Sequence, residues 1–166
     1  MKTNLLSNLL LGSLLALSSF VATAADATDC PQASIPPMLV EHVSPIGFEE
    51  TLTQLEKNAK ALGWKVPKKW KVDFQRNLKK VTGTDIGKNR VLKMCAPDAA
   101  VPLLVKDEFK MLTAMMPCTI AVYEKSDGKT YIAMMNLRVM GMMYGEEVAD
   151  MAERLAPQMD KMLEFK

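Results

Sequence analysis

Hydrophobic and polar positions along the chain change period several times, and each change marks a predicted element. The apolar run Met38–Val43 predicts a first strand. After Pro45, the residues Phe48, Leu52, Leu55, Ala59 and Leu62 recur at three- and four-residue steps, with Glu49, Glu50, Lys57 and Lys60 on other faces. That period predicts an amphipathic helix over Gly47–Gly63, with Gly63 as its stop. Trp64–Val66 predicts a short strand that Pro67 interrupts, because proline has no N–H for a ladder. Phe74–Val81 predicts a small amphipathic helix, and Gly83 with Gly87 a loop. Val91–Cys95 reads as a buried strand, after which Pro97-Asp98 turns into a helix over Ala99–Val105. Alternation is clean in Cys118–Glu124, where Cys118, Ile120 and Val122 share one face and Thr119, Ala121 and Tyr123 the other. Asp127-Gly128 then predicts an antiparallel hairpin into Thr130–Met134.

A methionine-rich bend follows, with Met134, Met135, Met140, Met142 and Met143 close together. The last predicted element is a long helix, roughly Tyr144–Leu163. Its Val148, Met151, Leu155, Met159 and Met162 form an apolar stripe, and acidic residues in the first turn suit the positive helix terminus. Pro157 removes the hydrogen bond to the Glu153 carbonyl and predicts a kink. Helices alternating with short strands and one clear hairpin give a single α+β domain over residues 38–166, with the long C-terminal helix as an extension.

The start of the chain has a different character. Lys2 precedes an interrupted apolar stretch from Leu5 to Val21, and small residues offer cleavage after Ala22-Thr23-Ala24 or Ala25-Asp26-Ala27. Residues 1–27 are therefore expected to be a signal peptide and 28–37 a linker, placing the protein in the periplasm or otherwise outside the cytoplasm. The apolar stretch is too short and punctuated for a secure membrane span. Three cysteines, Cys30, Cys95 and Cys118, then occupy a compartment that permits disulfides, and their odd number leaves at least one unpaired within the chain.

Charge is uneven. Residues 60–93 carry 11 Lys or Arg against 2 Asp or Glu, whereas residues 141–166 carry 3 against 6. The basic segment is either a solvated lysine face or a surface steered toward an acidic redox protein or another anionic surface. Trp64 and Trp70, flanking Lys65, Lys68 and Lys69, are candidate interface residues. Export argues against nucleic acid.

The candidate chemistry is soft. Thioether sulfur favours Cu(I) and serves as a haem ligand, which makes Met140, Met142 and Met143 candidate ligands. Methionine is equally an adaptable filler of cores and interfaces. Cys95 ends one predicted strand and Cys118 starts another. If those strands are antiparallel neighbours, the two sulfurs can close a disulfide, hold a soft metal or serve redox chemistry; the remaining alternative is two separate buried thiols. Without a Cys-x-x-Cys, a thioredoxin-like mechanism has little support. His42 is the one histidine. It excludes a His-rich zinc site; it is either an ordinary strand residue with a satisfied ring or a ligand that joins Met or Cys at copper or noncovalent haem. The adjacent pairs Glu49-Glu50 and Glu146-Glu147 do not face each other, and no nucleophile elbow, phosphate loop or zinc-protease motif is present. No catalytic residue is assigned, and an enzyme is the less favoured reading.

The chain resembles a bacterial and archaeal family of small domains of unknown function, numbered 302. The resemblance rests on Gly47-Phe48-Glu49-Glu50-Thr51-Leu52, on Val91–Pro97 with its Cys95-Ala96-Pro97, on Pro117–Glu124, and on the hairpin through Asp127-Gly128. It covers roughly residues 38–136. The family often has Asn where this chain has Ala96. The resemblance implies a two-layer α+β domain with an antiparallel sheet and packing helices, and association as a homodimer. It assigns no catalytic residues, but the family's paired cysteines match Cys95 and Cys118. Relatives associated in places with redox or sulfur metabolism add weight to metal handling or electron transfer. The long C-terminal helix and the Met-rich bend lie outside the typical motif.

The sequence thus predicts an exported, non-enzymatic protein that binds a soft metal or haem and supports periplasmic redox or sulfur metabolism. The metal ligands would be Cys95, Cys118, Met140, Met142 and Met143, and a cofactor would draw on Met140, Met142, Met143 and His42. The alternatives are a structural or interaction module with a Met-rich dimer or partner interface, and a thiol-dependent redox enzyme.

Overall fold

The computed structural model describes residues 36–165. The expected signal peptide, most of the expected linker and Cys30 lie outside the described residues.

Five strands form one antiparallel sheet in the order β1-β5-β4-β3-β2. They are β1 (Leu39–Val43), β2 (Lys71–Asp73), β3 (Asn89–Met94), β4 (Cys118–Glu124) and β5 (Thr130–Met135). The helices are α1 (Phe48–Ala61), α2 (Phe74–Thr82), α3 (Pro97–Leu104), α4 (Leu137–Met143) and α5 (Glu146–Met162), with short 3-10 turns at Lys68–Trp70 and Asp107–Ala114. Alternation places Ile120, Val122, Ile132 and Met134 in the core, where they meet Phe48 and Leu55 of α1 and Met151, Met159 and Met162 of α5. The other face of the β4–β5 pair stacks Tyr123 on Tyr131, with ring centroids 6.0 Å apart. This is the two-layer α+β domain expected.

The hairpin forms through Ser126–Gly128. Gly128 sits at φ 76° and donates its N–H to the Lys125 carbonyl at 3.0 Å, while Lys125 N–H reaches the Lys129 carbonyl at 3.2 Å. It is a three-residue loop with glycine in the left-handed position, which accounts for the Gly in Asp127-Gly128.

Four expectations change. Trp64–Val66 is not a strand but a single bridge, in which Lys65 and Cys95 exchange N–H···O bonds of 2.8 and 3.1 Å. Pro67, two residues on, has no N–H with which to continue the pairing. Trp64 is no interface residue: it is buried, and its Nε1–H donates to Gln158 Oε1 at 2.7 Å. The Met-rich bend is largely helix. Met134 and Met135 end β5, then Asn136 caps α4 by accepting from Val139 N–H. The fourth concerns Pro157, which is accommodated within one continuous α5, Glu146–Met162.

Helices α4 and α5 pack closely because Gly141 has no side chain. A Cβ at that position would lie 2.8 Å from Ala152 Cβ and 2.9 Å from Ala149 Cα. This close crossing holds α4 against α5.

Candidate soft-metal site

Antiparallel pairing of β3 with β4 puts Met94 opposite Cys118, so Cys95, the next residue, arrives beside the start of β4. Its backbone is pinned there by the bridge to Lys65. Both thiols are free and both line one cavity. The juxtaposition of the two cysteines follows the expectation drawn from the ends of the two strands.

The cavity measures about 30 Å³ and is lined by sulfur and hydrocarbon. Met115 and Met116 enter from the segment before Pro117, and Met135 from the end of β5. Leu137 and Met140 project from α4, Met151 and Leu155 from α5, while Ala96, Ala100 and Trp64 complete the wall. Two thiols and five thioethers thus surround a space the size of one or two water molecules. That volume is the scale of a single ion and well below the roughly 300 Å³ at which pockets for drug-sized ligands start.

Burial sets the protonation of the thiols. Cys118 is pushed up to about 11, chiefly by desolvation and secondarily by Cys95. Cys95 is also raised, by desolvation first and by Asp98 second. Both are thiols at neutral pH, the form that suits neither nucleophilic attack nor thiol–disulfide exchange. A soft cation would displace the protons and take the thiolates. Among the described residues, no cluster of three or more His, Cys, Asp and Glu exists that could hold a metal ion.

Of the six residues singled out from the sequence, the structure brings Cys95, Cys118 and Met140 together. Met140 is 4 % exposed, whereas Met142 and Met143 are 66 % and 61 % exposed. They do not line the cavity: Met142 lies about 200° around the helix from Met140, and Met143, although within about 60° of it, is the last residue of α4 and stays exposed. His42 lies on edge strand β1, in a separate groove with Val40, Met134, Asn136 and Met159, and Met135 is common to that groove and the cavity. Met115 and Met116 were missed. Their signal was adjacency, since Met115-Met116-Pro117 runs directly into Cys118.

A second, larger groove between α1 and β2–β3 carries Glu49, Glu56, Lys71, Asp73, Arg76 and Arg90. Its charges neutralise one another: Lys71 pairs with Glu56, and Arg90 Nη1 lies 3.1 Å from Asp73 Oδ1. It offers no unbalanced charge to a ligand.

The family model for the domain of unknown function DUF302 matches residues 40–165. The chain belongs to the DUF302 family. The match extends beyond the β4–β5 hairpin, so α4 and α5 are part of the DUF302 domain and not an addition to it. A crystal structure of an uncharacterized conserved DUF302 protein from Bacillus stearothermophilus has the same fold, with a TM-score of 0.66 and 23 % identity. The alignment covers 76 % of this chain and 95 % of that one. No curated protein matches the chain.

Proposed function

We propose that this DUF302 protein is an exported, non-enzymatic soft-metal-binding protein that takes Cu(I) between Cys95 and Cys118, with thioether support from Met140 and its neighbours. The observation that carries the reading is the small apolar cavity lined by two free thiols and five thioethers. Hydrocarbon filler alone explains methionine, but it does not require two cysteines from different strands at the same void. Sulfur ligands select Cu(I) over harder ions, and the enclosing side chains keep water from the bound ion. One Cu(I) bound by two thiolates releases two protons. The role fits redox or sulfur metabolism in the periplasm, and partners there would be an acidic redox protein or a second copy of the chain.

Two observations bear on the alternatives. Met140 and Met151 belong to the main hydrophobic core, which favours a packing role for them in a structural or interaction module. The raised thiol pKa values weigh against the thiol-dependent enzyme.

Anaerobic titration of the reduced full chain with Cu(I), in competition with a coloured Cu(I) chelator, tests the proposal. One Cu(I) per chain is expected for the wild type, and its loss is expected in Cys95→Ser and in Cys118→Ser. No uptake by the reduced wild type, or uptake by both variants equal to that of the wild type, overturns it.

A further inference from the structure

The basic segment of the chain folds around an unusual helix. None of the residues of α2 is buried, although Phe74, Leu78 and Val81 fall on one face at steps of four and three. Nine residues are too few for a helix to persist in water on propensity alone. Local features hold its ends: Asp73 accepts from Arg76 N–H at 2.8 Å, and Gly83 closes the helix at φ 77°. What is missing is cover for the apolar side. Phe74 and Leu78 are still 41 % and 38 % exposed, Ile86 in the following loop is 45 % exposed, and Val81 is 83 % exposed.

In the basic segment that carries α2, residues 60–93, both acidic residues are paired and the charges left over are all positive. Lys79 is paired with Asp85, and Arg76 lies near Asp73, but Lys68, Lys69 and Lys80 have no ion-pair partner among the described residues. A second copy docking through the same face would set like charges against each other. A neutral protein groove would satisfy the apolar residues and leave the lysines unpaired. Exposed apolar side chains together with unpaired lysines match an anionic interface that has both headgroup charge and hydrocarbon.

We propose that the apolar face of α2, with Phe74, Leu78, Val81 and the following Ile86, docks peripherally on an anionic lipid bilayer, aided by the unpaired Lys80 on the polar side of the helix and by Lys68 and Lys69 of the same basic segment. The apolar residues enter the headgroup boundary and the lysines lie against the phosphates. This docking is independent of copper binding.

Flotation of the full chain is measured with vesicles of phosphatidylcholine alone and with vesicles in which about a third is phosphatidylglycerol, at low and high salt. The variants are Val81→Ser and the triple change Lys68→Glu, Lys69→Glu, Lys80→Glu, all at exposed positions. The apolar N-terminal stretch is common to the wild type and both variants, so the readout is the difference between them in the excess on anionic vesicles. The wild type should show that excess and lose it at high salt. The triple variant should lower it by roughly tenfold or more, and Val81→Ser by a smaller factor. Equal flotation on both vesicle types, or an excess unchanged in both variants, overturns the proposal. So does binding to soluble polyglutamate that Val81→Ser leaves intact without any vesicle excess, which would identify an acidic protein instead. Self-association abolished by Val81→Ser, again without vesicle excess, would identify a second copy.

Discussion

Replacing Gly141 with alanine sets two effects of opposite sign against each other. In an exposed helix the change favours folding by about 1 kcal/mol, because glycine has the larger backbone entropy to lose. Here the new Cβ would stand 2.8 Å from Ala152 Cβ and 2.9 Å from Ala149 Cα. Ordinary carbon–carbon contacts lie at about 3.5–4.0 Å, so α4 must move outward by roughly 1 Å. Neither obstructing atom can rotate away, since one is main chain and the other is the whole side chain of an alanine. Overpacking of this kind costs about 1–3 kcal/mol beyond any propensity gain. The net expectation is a loss of about 1–2 kcal/mol, read as a fall of roughly 3–10 °C in Tm. Ala152→Gly in the same chain should restore part of the loss, because it removes the closer contact and leaves the one to Ala149 Cα. The displacement also moves Leu137 and Met140, which α4 contributes to the cavity, so Cu(I) affinity should fall with stability. Thermal denaturation of the single and double variants decides the matter. A Gly141→Ala protein more stable than the wild type would falsify the close α4–α5 crossing.

Other expectations follow from the same geometry. Between about pH 6 and 8 the apparent Cu(I) affinity should rise roughly 100-fold per pH unit, since two protonated thiols each release a proton; a roughly tenfold slope in chelator competition would mean that only one takes part. Because burial raises Cys118 from 9.0 to about 11, the stability it confers is complete below pH 9 and is lost as pH rises through 11. Chemical denaturation should therefore show wild type losing stability over that window relative to Cys118→Ala, and parallel curves would refute this. Trp64→Phe removes the donation to Gln158 Oε1 and should cost about 1–2 kcal/mol in the same assay. Met142→Ser and Met143→Ser, at exposed positions, should stay within about 0.5 kcal/mol of the wild type and bind Cu(I) normally, whereas Met140→Leu should bind it more weakly.

Much of the fold is legible in local pattern. Period-two alternation places Cys118–Glu124 as a strand to the residue, and the three- and four-residue steps from Phe48 and from Val148 locate α1 and α5. The meeting of Cys95 with Cys118 is legible too, because strands of an antiparallel pair align end to start. The methionines are not. Met140, Met142 and Met143 look equivalent as a string, and only the helix that Asn136 caps sends the first inward and leaves the other two exposed. Met151 reads as ordinary stripe packing and is that, yet it also walls the cavity. Met115 and Met116 belong to a segment with no clear period, and only their adjacency to Cys118 hints at a place beside it. His42 sits on an edge strand, and chain order gives no hint that Asn136 and Met159 would share its groove.

The measurement that tests the central claim most directly is copper K-edge X-ray absorption on the reduced protein loaded with one equivalent of Cu(I). The sulfur-lined cavity predicts a first shell made of sulfur alone, dependent on both Cys95 and Cys118. Nitrogen or oxygen in that shell, or a spectrum unchanged when both cysteines are replaced by serine, would place the ion elsewhere and contradict the account.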